Sequence, residues 1–310
     1  MTEFLLNGSP TDCISTLNFH PTNPDVLLAT SWDKTSRLYN VSDNTPGEVS
    51  NISGGALLAG CFSSTGEQVF SGGLDRNLYQ WDVGGKSFIL GEHSEAISSL
   101  AFNVSTNLLI SGSWDRCLKL WDHQAPSPLV ETILIPSAEK VYSLSSKNHM
   151  LALATSNRMI YLYDLRNRSI PLSEKQSILK FPTRTIELFP QSNGVIYTSI
   201  EGRVAVENFD NPSLNYAFKC HRKPGSNIDS STNQLVDLVY SVNSTCFHPF
   251  FNTFVTGGSD GVVNCWDFVN KKRLKVFGTF SNGVSSLAYN KSGNLLAIGN
   301  SYSFDQGDKP

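Results

Sequence analysis

No apolar run in the chain approaches the roughly eighteen residues a helix needs to cross a bilayer. Charge is sparse, 16% Asp, Glu, Lys and Arg, and nearly balanced, with 27 acidic against 24 basic residues. That balance excludes a polybasic membrane protein and argues against strong nucleic-acid binding, leaving room only for a local basic patch. Cysteine is scarce and scattered, at 13, 61, 117, 220, 246 and 265. These positions show neither metal-ligand spacing nor a disulfide framework, and most lie in apolar strand-like runs. They read as reduced core thiols of a cytosolic or nuclear protein.

Catalytic signatures are missing too. There is no nucleophile elbow, no HExxH, no CxxC pair and no phosphate-cradling GxGxxG helix. Gly54-Gly55, Gly72-Gly73 and Gly257-Gly258 belong to loops and strand edges. The 6 histidines are dispersed, so no metal centre is expected and no cofactor either. The recurring aspartates tempt as paired carboxylates, but their regular spacing assigns them to turns. The chain reads as a non-enzyme. Its first residues, MTEFLLNGS, are too short and weakly apolar for a secretory signal.

What the chain does have is a repeat. Leu109–Asp122, LISGSWDRCLKLWD, reads as a strand, a tight polar turn over Ser113–Arg116 and a second strand. Asp115 lies six residues before Trp121, and His93 sits upstream beyond another strand-like run, Ile97–Phe102. Histidine, then Ser-Gly-Ser-x-Asp, then Trp-Asp is the WD-repeat signature. The spacing suits a buried polar network of His93, Ser111, Asp115 and Trp121, which favours one arrangement when every member has a partner.

The same offset connects Asp33 to Tyr39, Asp75 to Trp81 and Asp260 to Trp266, with weakened copies from Asn157 to Tyr163 and Glu201 to Glu207. Anchors at 33, 75, 115, 157 and 201 are 42, 40, 42 and 44 residues apart. A period near forty belongs to a propeller. The expected architecture is therefore all-β: one seven-bladed WD40 propeller over residues 1–310. His221 is expected to serve blade six with Asp260 and Trp266 as His93 serves blade three. The long step from 201 to 260 holds an insertion, and the polar stretch 223–235, with Pro224 early, reads as a surface excursion or mobile loop rather than a domain boundary. Phe4–Leu6 reads as the outer strand of the final blade, closing the array. That blade begins at Val284–Tyr289 and Leu295–Gly299 and shows no convincing third strand afterwards, so it reads as incomplete.

Several stretches are more specific than a generic repeat. They are Ser31-Trp32-Asp33, Ser71-Gly72-Gly73-Leu74-Asp75, Ser113-Trp114-Asp115, Ile200-Glu201-Gly202-Arg203-Val204-Ala205-Val206-Glu207, Tyr216-Ala217-Phe218-Lys219-Cys220-His221-Arg222, and Gly257-Gly258-Ser259-Asp260-Gly261 with Trp266-Asp267. Together they resemble the spindle-assembly-checkpoint WD-repeat family of the "budding uninhibited by benomyl" group, whose nearest relative is the messenger-RNA export propeller that binds a nucleoporin. The resemblance runs over nearly the whole chain. It implies a non-catalytic adaptor that binds the acidic GLEBS segment of a checkpoint kinase and of its kinase-like or kinase-lacking relative. It also implies recognition of phosphorylated MELT repeats in a kinetochore scaffold. The alternative it leaves open is an export adaptor binding a nucleoporin GLEBS segment. A monomeric propeller within hetero-complexes, nuclear and at kinetochores in mitosis with some cytoplasmic pool, follows from the same resemblance.

Trp32 and Trp114 each precede a turn aspartate, and large aromatics on loops suit an interaction surface; the competing reading packs each onto its neighbouring blade as a cover for the structural network. The resemblance matches them to the face carrying GLEBS. Glu201 and Arg203 occupy the equivalent turn of blade five, where a guanidinium suits an acidic peptide; the competing reading pairs Arg203 with Glu201 or Glu207 of its own chain. Lys219, His221 and Arg222 form the clearest basic cluster. With His221 assigned to its network, Lys219 and Arg222 are the phosphopeptide candidates, in the region where the resemblance implies the phospho-MELT site; the competing reading is a solvated basic patch.

Overall fold

The second strand of each repeat is a near-continuous apolar run, and such a run forms a stable strand only where both faces are covered. In the computed structural model the first six of these runs sit in the middle of antiparallel sheets and are buried almost throughout. The structure describes every residue except 1–2, 46–48, 52, 83–85, 229–230, 232–233, 305–306 and 308–310.

The described residues form six four-stranded sheets and two two-stranded ones. In chain order, the first sheet holds Ile14–Phe19, Val26–Ser31, Thr35–Asn40 and Val49–Asn51; the second Leu57–Phe62, Gln68–Gly73, Asn77–Asp82 and Ser87–Glu92. The third holds Ile97–Asn103, Leu108–Ser113, Cys117–Trp121 and Leu129–Leu134; the fourth Val141–Lys147, Met150–Thr155, Met159–Asp164 and Ser173–Gln176. The fifth holds Thr183–Leu188, Gly194–Ser199, Arg203–Asn208 and Tyr216–Lys219; the sixth Val242–Phe247, Thr253–Gly258, Val262–Asp267 and Lys272–Thr279. A seventh, Val284–Tyr289 with Leu296–Asn300, has two strands among the described residues.

Each sheet packs its buried face on the next. Ile110, Leu118 and Leu120 of the third sheet meet Val141, Leu144 and Tyr161 of the fourth in one apolar cluster. The approach is close enough to dictate composition. A Cβ on Gly112 would lie 2.7 Å from Cγ1 of Val141, so a larger side chain would push the sheets apart.

Serine hydroxyls stitch the sheets across these cores. Ser99 accepts the backbone N–H of Leu144 at 3.1 Å, Ser145 that of Leu188 at 3.1 Å, and Ser244 that of Leu287 at 2.9 Å. The same bond runs from the first sheet to the last, where Ser286 accepts the N–H of Leu17 at 2.9 Å. Leu17, Leu27 and Ala29 share an apolar cluster there with Ala288, Leu295 and Ala297. This contact is made by side chains, since no strand pairing joins the two sheets among the described residues.

Two expectations need correction. Phe4–Leu6 is not a strand. Only Leu6 joins the core between the first and last sheets, while Phe4 and Leu5 are exposed. The segment is held by Asn44, whose amide donates to the Leu5 carbonyl and whose Oδ1 accepts the Asn7 N–H. The stretch 223–235 is also more ordered than a loop. Arg222–Ile228 pairs with Leu235–Val239 as a hairpin, with a register shift between Lys223 and Asn227 that accommodates Pro224 and Gly225. Part of its tip lies outside the described residues.

Candidate functional site

The turn after each second strand begins the same way. The N–H of Trp32 donates to the Cys13 carbonyl, that of Trp114 to Ala96, that of Ile200 to Pro182 and that of Ser259 to Ser241. Each bond ties the turn to the start of its own sheet's first strand. Trp32, Trp114 and Ile200 therefore hold equivalent positions, at the same end of three sheets.

Beneath the third of these turns lies the polar network. His93 Nδ1 is 2.8 Å from the Asp115 carboxylate, and its Nε2 is 2.7 Å from the Ser111 hydroxyl. The Trp121 indole N–H donates to the same hydroxyl at 2.8 Å. An ionised carboxylate only accepts, so the proton between the two groups sits on Nδ1. Burial alone would raise the Asp115 carboxyl; hydrogen bonding and charge from His93, with the Ser94 N–H, instead hold it at about 2. Sheet six repeats the set: His221 Nδ1 lies 2.8 Å from Asp260, and Thr256 replaces serine, 2.9 Å from both His221 Nε2 and the Trp266 indole nitrogen.

Sheets one and two lack the histidine and hold their aspartates differently. Asp33 pairs with Arg37 at 2.9 Å and accepts from Thr35, and Asp75 accepts the Tyr79 hydroxyl at 2.5 Å. Burial opposes ionisation of Asp33, and the bonds from Thr35 and Thr11 with the charge of Arg37 outweigh it, lowering its pKa. In sheet two the buried Trp81 indole nitrogen and Ser71 hydroxyl are left without hydrogen-bond partners among the described residues.

Two groups of site residues assigned to different ligands meet around Glu201. Arg203 Nε donates to its carboxylate at 3.1 Å; Arg222 donates to its backbone carbonyl at 2.7 Å and reaches the same carboxylate oxygen at 3.4 Å. Lys219, exposed on the outer strand, is the cross-strand partner of Arg203. The turn requires glycine between Glu201 and Arg203: Gly202 has φ +63°, and a Cβ there would lie 2.6 Å from the Cys220 carbonyl oxygen. The self-pairing of Arg203 with Glu201 is thus realised, and it leaves the Arg203 side chain about one-third exposed. His221 is buried in its network, apart from this surface cluster.

Both tryptophans have neighbours that sequence reasoning missed. The Lys140 ammonium lies 5.3 Å from the Trp114 ring centroid. Phe304 stacks on Trp32 with centroids 6.1 Å apart and planes 12° from parallel. Lys140 precedes the first strand of sheet four, where its carbonyl accepts the Ser156 N–H as Ala96 accepts that of Trp114, and Phe304 follows the last described strand. Neither lies at the six-residue offset, which carried no signal for it. Among the described residues no group of three or more His, Cys, Asp or Glu side chains is placed to hold a metal, and no helix is long and apolar enough to cross a membrane.

The WD domain, G-beta repeat model matches residues 49–82, 84–122 and 237–267. The chain is 42% identical to "Mitotic checkpoint protein BUB3.1" of Arabidopsis thaliana, over 98% of this chain and 88% of that protein. It is 36% identical to "Mitotic checkpoint protein bub3" of Dictyostelium discoideum, over 97% and 89%. It is also 32% identical to "Protein Rae1" of Drosophila melanogaster, over 99% and 90%. With its repeated sheets and turn networks, the chain belongs to the non-catalytic WD40-repeat adaptor family of the BUB3 checkpoint and Rae1 export proteins.

Proposed function

We propose that residues 1–310 form one seven-bladed propeller, closed by the packing of the first sheet on the last. It serves as a monomeric adaptor of the spindle assembly checkpoint, nuclear and at kinetochores in mitosis. Its turn-borne rim binds the acidic GLEBS segment of a checkpoint kinase or its relative through Trp32, Trp114 and Arg203, with Glu201 orienting the arginine. Lys219 and Arg222 contact the phosphate of a phosphorylated MELT repeat. The observation that carries this reading is the bracket of Arg203 and Arg222 on Glu201. It puts two oriented guanidinium groups beside an exposed lysine, at the end of the sheets where the tryptophan turns lie. An acidic peptide gains direction as well as charge from such a fork.

Supporting closure, the Leu17–Ser286 bond repeats the stitch between consecutive sheets. The test compares four peptides by calorimetric titration: checkpoint GLEBS, nucleoporin GLEBS, phosphorylated MELT and unphosphorylated MELT. Binding of the first with phosphate-dependent binding of the third supports the checkpoint role. Binding of the nucleoporin segment alone assigns the chain to export, a role open to it through its likeness to the "Poly(A)+ RNA export protein" of Schizosaccharomyces pombe, 33% identical over 96% of this chain.

A further inference from the structure

Trp32 is not bare. Phe304, which follows the last described strand, lies over it in offset-stacked geometry, and Tyr302 packs on Phe304 with centroids 5.2 Å apart. The Tyr302 hydroxyl donates to the Gly307 carbonyl at 2.6 Å, and the Gly307 N–H donates to the Phe304 carbonyl at 3.0 Å. Phe304 thus presents its ring to Trp32 while Tyr302 and Gly307 are tied to it and to each other.

Its backbone is held unfavourably. Phe304 has φ +59°, the left-handed region that a bulky residue rarely occupies. Phe304 is also 47% exposed, so its ring covers Trp32 without being sealed into the core. A residue in the left-handed region whose half-exposed ring covers Trp32 can be displaced when another group takes the stack.

We propose that Phe304 fills the Trp32 subsite of the free chain and that a docking peptide reaches that subsite only by displacing it. The inference rests on Trp32 being a peptide contact, as in the proposed function. It adds a competitor built into the chain and names what the subsite takes: a flat apolar or aromatic group in offset-stacked geometry. Trp114, whose ring neighbours a lysine ammonium, carries no such competitor in the described residues and accepts its part of a peptide directly.

The test uses the full chain labelled with 5-fluorotryptophan, the Trp32 resonance being assigned by its loss in Trp32→Phe. Phe304→Ala is expected to move that fluorine resonance and leave the other four of the 5 tryptophans in place. Titration with the checkpoint GLEBS peptide is expected to show several-fold tighter binding to Phe304→Ala than to the unmodified chain, with Phe304→Leu between them. If Trp32→Ala weakens the peptide but Phe304→Ala binds it no better, the competitor is overturned while the peptide site stands. If Trp32→Ala binds as well as the unmodified chain, or neither binds, Trp32 is no peptide contact and the competitor falls with it.

Discussion

Leu17 donates its backbone N–H to the Ser286 hydroxyl at 2.9 Å, and both residues are buried between the first and last sheets. The bond recurs between neighbouring sheets elsewhere, so the seam resembles an ordinary sheet-to-sheet contact. Asn290 adds a second tie, its amide donating to the Pro24 carbonyl at 3.4 Å. Ser286→Ala would leave the buried Leu17 N–H without an acceptor, at a cost of about 1–3 kcal/mol. Urea unfolding should show the midpoint moving down with little change in slope. An unmoved midpoint would remove this bond from the account of closure.

The Asp115 network predicts an acid sensitivity with a definite sign. Its folded pKa of about 2 lies below the ordinary 3.8. A depressed carboxyl contributes stability that is whole above 3.8 and is lost as pH falls from there through about 2. Burial lowers the pKa of His20 and of His123 from 6.5, so the unfolded chain takes up protons first and stability already declines below that value. Asp115→Asn should be less stable than the unmodified chain at neutral pH, and the gap should narrow between pH 3.8 and about 2. A gap that stays constant over that range would mean the carboxylate charge is not what the network uses.

The sequence was most legible where burial and chemistry coincide. His93, Ser111, Asp115 and Trp121 meet as their spacing implies. The outer strands were the hard part. Ser87–Glu92, Leu129–Leu134, Ser173–Gln176 and Lys272–Thr279 are mostly exposed, so no apolar period marks them, and only pairing to the third strand makes them strands. The hairpin at Arg222–Ile228 was hidden for the same reason, with Pro224 adding a signal against a strand. At the site, Glu201, Arg203 and Arg222 were each visible, but their convergence depends on the outer strand returning beside the turn, which no local pattern records.

Two tryptophans at the same repeat position make a controlled comparison. The Trp121 indole N–H is bonded to Ser111, whereas the equally buried Trp81 indole N–H has no partner among the described residues. Replacing either by Phe removes similar apolar volume, and only Trp121→Phe also breaks a hydrogen bond. Trp121→Phe should therefore cost about 1 kcal/mol more than Trp81→Phe. Thermal unfolding of the two variants measures the difference directly. Equal losses would show that packing, rather than the polar network, sets the cost at this position.

The bracket on Glu201 separates charge from geometry. Arg203 is partly exposed and held by one hydrogen bond to Glu201, so Arg203→Ala should leave the unfolding transition nearly unchanged while weakening an acidic peptide about tenfold, or about 1.4 kcal/mol. Arg203→Lys keeps the charge but loses the planar fork, and should recover only part of the affinity. Lys219 is exposed and acts as a point charge, so Lys219→Ala should reduce phosphopeptide binding and the salt dependence of that binding together. Arg222 is different because its guanidinium is mostly buried and bonded to the Glu201 backbone. Arg222→Ala should weaken both peptides, since it releases the turn that positions Arg203. Calorimetric titration of the four variants at two salt concentrations reads all of these. If Arg222→Ala affected the phosphopeptide alone, Glu201 would not be coupling the two surfaces, and each would have to be treated as a separate site.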